Sequence, residues 1–390
     1  MGSDDLVEDA VRFWLSKERT ERDDEDLSEY RRFAFSKLLF IAACIVVAVV
    51  VSGYAISIGE YTISFFDTYV RIWEHITGNV TDVTDDYVVW ELRLPRVLGG
   101  LLAGSALAVC GVAMQSMLKN PLADTYTTGI SSGASLGATL AVCVGFSFAS
   151  GQYAIVVNAF LFSLIPMMLI LSVSRMNDSS ATTIIMAGIA VMYLFNACNT
   201  VLKLWATDEA LANVYSWSVG SLTGLSWSDV AVMAAFVIPG GLVIQMVSDR
   251  MNKMSMGDES ARALGVDVEK FRITCLLVTS LVAASVVCFT GLIGFIGLVC
   301  PHIARMFIGS DNRLLMPASA ACGAALLLVS DVIGRVVIAP NTLQVGVVTA
   351  FIGGPMFLYL IVKNKRSRWR DAVHRRQGAL LRVRPDARPS

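Results

Sequence analysis

With 390 residues, 55% of them hydrophobic and only 16% charged, the chain departs from a soluble globular protein, in which about 25% of residues are charged. A mean hydropathy of +0.62 and several uncharged stretches of about 20 residues, enough to cross a ~30 Å hydrocarbon layer, predict an all-α membrane protein with many spans. The formal net charge of −1 says little, because the charges are segregated along the chain, and no nucleic-acid partner is expected.

Residues 1–32 form a charged extension in which Leu6, Val7, Val11, Trp14 and Leu15 share a helical face. Charged rather than apolar, it predicts no cleavable signal peptide. Ten apolar segments follow, near 34–56, 94–117, 129–149, 153–174, 183–205, 228–247, 272–292, 295–308, 314–334 and 343–362. The eighth is short and interrupted by Gly294, Gly297 and Pro301. Residues 206–227 are amphiphilic and, with Trp205, Trp217 and Trp227, predict an interfacial helix with an aromatic belt. The sixth and seventh segments are separated by a polar island, Asp249–Arg272. At its heart, Ser255 and Asp258 have the spacing of a capping box, and Gly265 stands where a helix would stop. A compact, capped helix there is expected to touch a partner. The chain thus divides into the extension 1–32, a ten-span domain 33–363 that includes the island at 249–272, and a basic tail 364–390.

Ten spans put both tails on one side, and all but five of the 31 Lys and Arg fall there, which makes it cytoplasmic. The exceptions are Arg71, Arg93, Arg96, Lys203 and Arg335. The outer loop 57–92 is acidic, with Glu60, Asp67, Glu74, Asp82, Asp85, Asp86 and Glu91. Arg93 and Arg96 flank Pro95 at the outer start of the second span, and Arg335 closes the ninth. Two readings stand: the arginines snorkel to headgroups, or Arg335 pairs with Asp331 one turn back; or they form a basic docking patch for an acidic partner.

No Gly-x-x-x-x-Gly-Lys-Ser/Thr phosphate loop is present, and Asp331 is the main acid within the spans, which argues against ATP binding or ion-driven carriage by this chain. The eight cysteines lie in or beside apolar segments, without metal spacing, and read as packing residues. His75, His302 and His374 fall in different regions. No catalytic residue, metal site or bound cofactor is expected, so energy must arrive from another subunit. Small residues crowd Gly99–Ala108 and Gly129–Gly137, which suits close helix packing or the lining of a wide passage.

Six runs then fall into one pattern. Arg93-Leu94-Pro95-Arg96 precedes the second span, Lys119-Asn120-Pro121-Leu122-Ala123-Asp124 follows it, and Gly129-Ile130-Ser131-Ser132-Gly133-Ala134 opens the third. Gly257–Gly265, Gly291–Arg305 and Val345–Pro355 complete the set. Together they resemble the FecCD-type permeases, membrane subunits of type II ABC importers for iron–siderophores, haem and cobalamin, across about residues 34–365. The resemblance implies a ten-span type II importer permease fold in the cytoplasmic membrane, both termini inside, working as a homodimer with the pathway on its axis. Two separate ATP-binding cassette subunits would drive it with ATP and Mg, and an extracytoplasmic binding protein would deliver cargo. It implies that the island is the coupling helix seated on the ATPase, with Ser255, Met256, Gly257, Asp258, Glu259, Arg262, Leu264 and Gly265 at the contact and Met254 among its apolar residues. It further implies that Arg93, Arg96 and Arg335 dock the binding protein, and that Asn120 and Leu122, with Ser180 and Thr182, form the cytoplasmic gate. Asn120-Pro121 also reads as an ordinary turn. Iron(III)–siderophore is the expected cargo on family frequency, with cobalamin or haem as alternatives. An ATP-independent secondary transporter is the rival of a different class. The extension 1–32, the long acidic loop 57–92 and the basic tail depart from the family pattern.

Overall fold

The computed structural model describes residues 35–59, 61–176, 180–338 and 341–359; the extension 1–32 and the tail 364–390 lie outside them. Every regular element among the described residues is helical. Seven helices are long and apolar enough to cross a membrane, and three shorter apolar helices complete the expected ten. The first span is α1 (Phe35–Ser57), followed by an outer helix α2 (Phe65–Thr77) and the long α3 (Val83–Leu118). Then come α4 (Ile130–Val144), α5 (Ala154–Met176), α6 (Ala181–Leu204), α7 (Asp208–Val219) and α8 (Trp227–Met246). Two short helices, α9 (Ser248–Ser255) and α10 (Asp258–Ala263), lead into α11 (Val268–Thr290), α12 (Ile296–Ile308), α13 (Asn312–Val336) and α14 (Val345–Tyr359).

α3 is the central post. Its apolar window is 78% buried, against 17% for α1, so α1 faces the surroundings while α3 is enclosed. Small residues make this enclosure achievable. Gly104 lies against the Gly323 backbone of α13, and Gly111 against the Gly297 carbonyl of α12, so neither position has room for a Cβ. The glycine that interrupts the eighth segment is thus where α12 meets α3. The small residues of α4 pack in the same way, Gly133 against the Phe162 carbonyl and Gly137 against that of Asn158.

The structure differs from the sequence reading at two helix starts and in one surface feature. α3 begins at Val83 rather than 94, because Asp82 accepts the N–H groups of Thr84 and Asp85 at 2.8 and 3.1 Å and starts a helix inside the acidic loop. Its segment Val88–Arg93 has the wider turns of a π-helix, and this carries Arg93 inward. α11 begins at Val268, capped by Asp267, so Lys270 and Arg272 belong to its first turns rather than to a loop. The amphiphilic stretch 206–227 forms α7 but no aromatic belt. Trp205 is exposed, whereas Trp217 packs near Val287 and Trp227 donates from Nε1 to the Trp90 carbonyl at 3.0 Å.

Candidate functional site

The polar island folds as two short helices, α9 and α10. Ser255 ends α9, its hydroxyl donating back to the Met251 carbonyl at 3.0 Å, so it does not cap α10. The cap of α10 is Gly257, at φ 120°, where no side chain contributes. The stop does form at Gly265: it sits at φ 81°, its N–H reaches the Arg262 carbonyl at 3.0 Å, and that of Val266 reaches Ala261 at 3.0 Å. This is a Schellman closure. Burial then separates an anchoring face from an exposed one. Met251, Met254, Ala261 and Val266 are buried against the span ends, while Met256, Glu259, Arg262, Leu264 and Gly265 are exposed. Met254, expected among the apolar contacts, is therefore part of the anchor.

Asp258 also faces inward. Its carboxylate accepts from Arg272 Nη2 at 2.8 Å and from Lys119 Nζ. Burial pushes this carboxyl up, but the two cations outweigh it and hold it below the usual carboxylate range. Arg272 is only 1% exposed at its side chain, so Asp258 meets a cation that has left water. The partner on the other side, Lys119, ends α3 and immediately precedes Asn120. It is left-handed at φ 48°, one of two non-glycine residues at positive φ among the described residues. α10 and the loop after the second span are thus joined at one carboxylate. α9 has a second fastening: Asn252 donates to Asp311 at 2.7 Å and accepts the Asn312 N–H at 2.8 Å, next to an Arg313–Asp249 pair.

Within that loop, Asn120 Oδ1 accepts the Leu122 N–H at 2.9 Å, the turn its Asn-Pro spelling anticipates. Leu122 is exposed, and so is Thr182. Ser180 caps α6, accepting the Thr183 N–H at 3.1 Å. No hydrogen bond or ion pair joins Asn120 or Leu122 to Ser180 or Thr182 among the described residues of this single chain. Lys119, Arg272 and Asn252 escaped the site reading. The available signals were a lysine inside a recognised run and an arginine at the mouth of an apolar segment.

On the outer side, Arg93, Arg96 and Arg335 come together, but as clamps rather than projecting cations. Arg93 is 6% exposed and donates to the Ile56 and Ser57 carbonyls, both at 2.9 Å, and to that of Tyr61. Arg335 donates to the Ala55 carbonyl at 2.7 Å and that of Ile58 at 2.9 Å, and pairs with Asp331 at 2.7 Å. Arg96 takes the other side of Asp331 at 2.8 Å. Two guanidiniums therefore satisfy the open carbonyls that end α1, where positive charge is favoured. The expected Arg335–Asp331 pair is present. The three arginines share a cavity of about 1020 Å³ with Glu91, Tyr61 and Tyr87.

The chain is similar to several known proteins along most of its length. The FecCD transport family matches residues 38–363. An ABC transporter permease protein of Methanocaldococcus jannaschii is 37% identical over 344 residues, covering 86% of this chain and 97% of that protein. A hemin transport system permease protein of Yersinia pestis is 35% identical over 333 residues, covering 85% and 97%. Among solved structures, a metal-chelate type ABC transporter in an inward-facing conformation superposes with a TM-score of 0.73 at 26% identity, covering 83% of this chain and 98% of the other. The chain belongs to the FecCD transport family and is a multi-pass membrane permease subunit of an ABC transporter, with ATP hydrolysed by separate subunits.

Proposed function

We propose that the chain is half of a homodimeric importer that moves a metal chelate inward, iron(III)–siderophore by preference, with two ATP-binding cassette subunits below and an extracytoplasmic binding protein above. Haem is the second reading, favoured by the hemin permease that matches along 97% of its own length; cobalamin is the third. The spans offer no route for proton-driven carriage through their main acid. Asp331 is 2% exposed and held between Arg96 and Arg335, so it is committed as a counter-ion.

The observation that carries the proposal is the junction at Asp258. In this reading, Met256, Glu259, Arg262 and Leu264 meet the ATPase, and Asp258 passes the displacement of α10 to Lys119 and so to Asn120 and Leu122. A gate closing across the dimer axis accounts for Leu122 and Thr182 being exposed in one chain. Docking of the binding protein would then depend on the outer arginines mainly through the shape and field of their cavity, with Arg96 the one farthest from backbone duty. Transport into proteoliposomes tests the whole reading. Arg262→Glu is expected to leave the permease inserted while abolishing substrate-stimulated ATP hydrolysis; full stimulated turnover with the ATPase still bound would refute the coupling role. Mass spectrometry of the cargo retained by the cognate binding protein decides among siderophore, haem and cobalamin.

A further inference from the structure

The outer loop that departs from the family pattern contains a helix whose polarity is turned the wrong way for water. In α2, Asp67, Arg71, Glu74 and His75 share one arc, and all but Asp67 turn it toward the protein. Arg71 pairs with Glu74 at 2.8 Å and with Asp85 at 3.2 Å, His75 bonds Asp86 at 2.8 Å, and its ring stacks on Trp90 at 3.9 Å. The loop's acids are thus largely engaged within the cap. The opposite arc carries Phe65, Phe66, Tyr69, Val70, Trp73 and Ile76, all exposed, with Phe66 at 77% and Trp73 at 67%. Phe65 packs edge-on against both Phe66 and Tyr69, which makes the arc one contiguous aromatic surface.

We propose that α2 is an interfacial helix whose partner is the outer leaflet, with its Phe66–Trp73 face in the boundary between headgroups and acyl chains. Three observations select lipid over a protein. The short stretch 58–64 keeps α2 beside the point where α1 leaves the bilayer. The Tyr69 hydroxyl occupies the space that a side chain on Gly53 of α1 would take, so the aromatic arc continues the exposed surface of Val46, Val50 and Tyr54 on a lipid-facing span. The outward arc has the Trp, Tyr and Phe chemistry that settles at membrane interfaces and carries no charge for a polar partner. The helix would then act as a stop that fixes how far α1 and the arginine-clamped outer end of α3 sit in the membrane.

Nitroxide accessibility in the full chain tests this, after reconstitution into phosphatidylcholine–phosphatidylglycerol vesicles and subtraction of the signal from native cysteines. Labels at Trp73→Cys, and at the milder Val70→Cys, should collide several-fold more often with oxygen than with a water-soluble nickel chelate. A label at Asp67→Cys on the polar arc should show the reverse. Preferential access of the nickel chelate to Trp73→Cys and Val70→Cys would overturn the proposal in favour of a solvated face. Protection from both reagents would overturn it in favour of a protein partner, either the second copy or the binding protein.

Discussion

Asp258 gathers three elements at one carboxylate, and its chemistry defines how that junction behaves. Hydrogen bonds to charged groups contribute about 1.5–3 kcal/mol each, so Asp258→Asn should lower coupled transport roughly tenfold or more while ATPase binding through the exposed face persists. Lys119→Met should reproduce much of that loss, because Arg272 keeps its partner but the loop does not. The pH dependence has a definite sign. A carboxyl held below its ordinary range contributes above that range and loses its contribution as pH falls through the depressed value. The junction should therefore be flat above about pH 5 and weaken only below about pH 4, as rates of stimulated ATP hydrolysis would register. Arg335 makes a contrasting case. Removing one partner of a buried ion pair costs roughly 3–5 kcal/mol, and Arg335→Gln also strips the last carbonyls of α1. Thermal unfolding in detergent should show a larger loss for Arg335→Gln than for Arg96→Gln, since Asp331 keeps one cation in either case and only Arg335 also holds the carbonyls at the end of α1.

At the scale of elements, the two short cytoplasmic helices show which residues make a boundary. Gly265 closes α10 at φ 81° with open space around its Cα, so Gly265→Ala meets no neighbour and bears only the left-handed backbone penalty, about 1–2 kcal/mol. Gly265→Pro removes the N–H that reaches Arg262 and cannot adopt that φ. Transport should survive the first substitution at reduced stability and fail with the second; equal behaviour of the two would mean that the Schellman closure has no part in coupling. The stop was legible because a glycine after a short polar helix has one common use. The start was not. Ser255 and Asp258 have capping-box spacing, but Met251 and Met254 continue the buried stripe of α9 through Ser255, and tertiary burial outweighed the local cap. The outer cap argues the same point: Asp82 starts a helix that the acidic loop concealed, since runs of acids read as solvated until their cations are located. Hydrogen bonding from Arg71 holds Glu74 below the usual carboxylate range, and backbone N–H groups do the same for Asp82. Acidification is thus expected to loosen the cap as these acids protonate, which protease nicking of the outer loop would register.

At the scale of the molecule, a thickly enclosed α3 crossed by α12 and α13 is what lets a chain with so few buried charges hold a defined shape. The crossings at Gly104 and Gly111 leave no space for a methyl group, so Gly111→Val should abolish recovery of monodisperse protein, whereas Gly241→Ala, which meets nothing, should be recovered normally. Hydropathy determined the membrane class and the number of apolar segments, and Lys/Arg asymmetry set their expected sidedness, because run length and charge placement are local properties of the chain. The order of six short runs determined the family for the same reason. Only the tertiary structure decided which side chains meet. Lys119 and Asp258 are 139 positions apart, and Arg96 and Asp331 are 235 apart. The direction a helix face turns depends on what packs beneath it, so neither the inward Asp258 nor the outward aromatic arc of α2 could be read from spacing. Periodicity specifies that a helix has two faces, and packing specifies which of them is left for the bilayer.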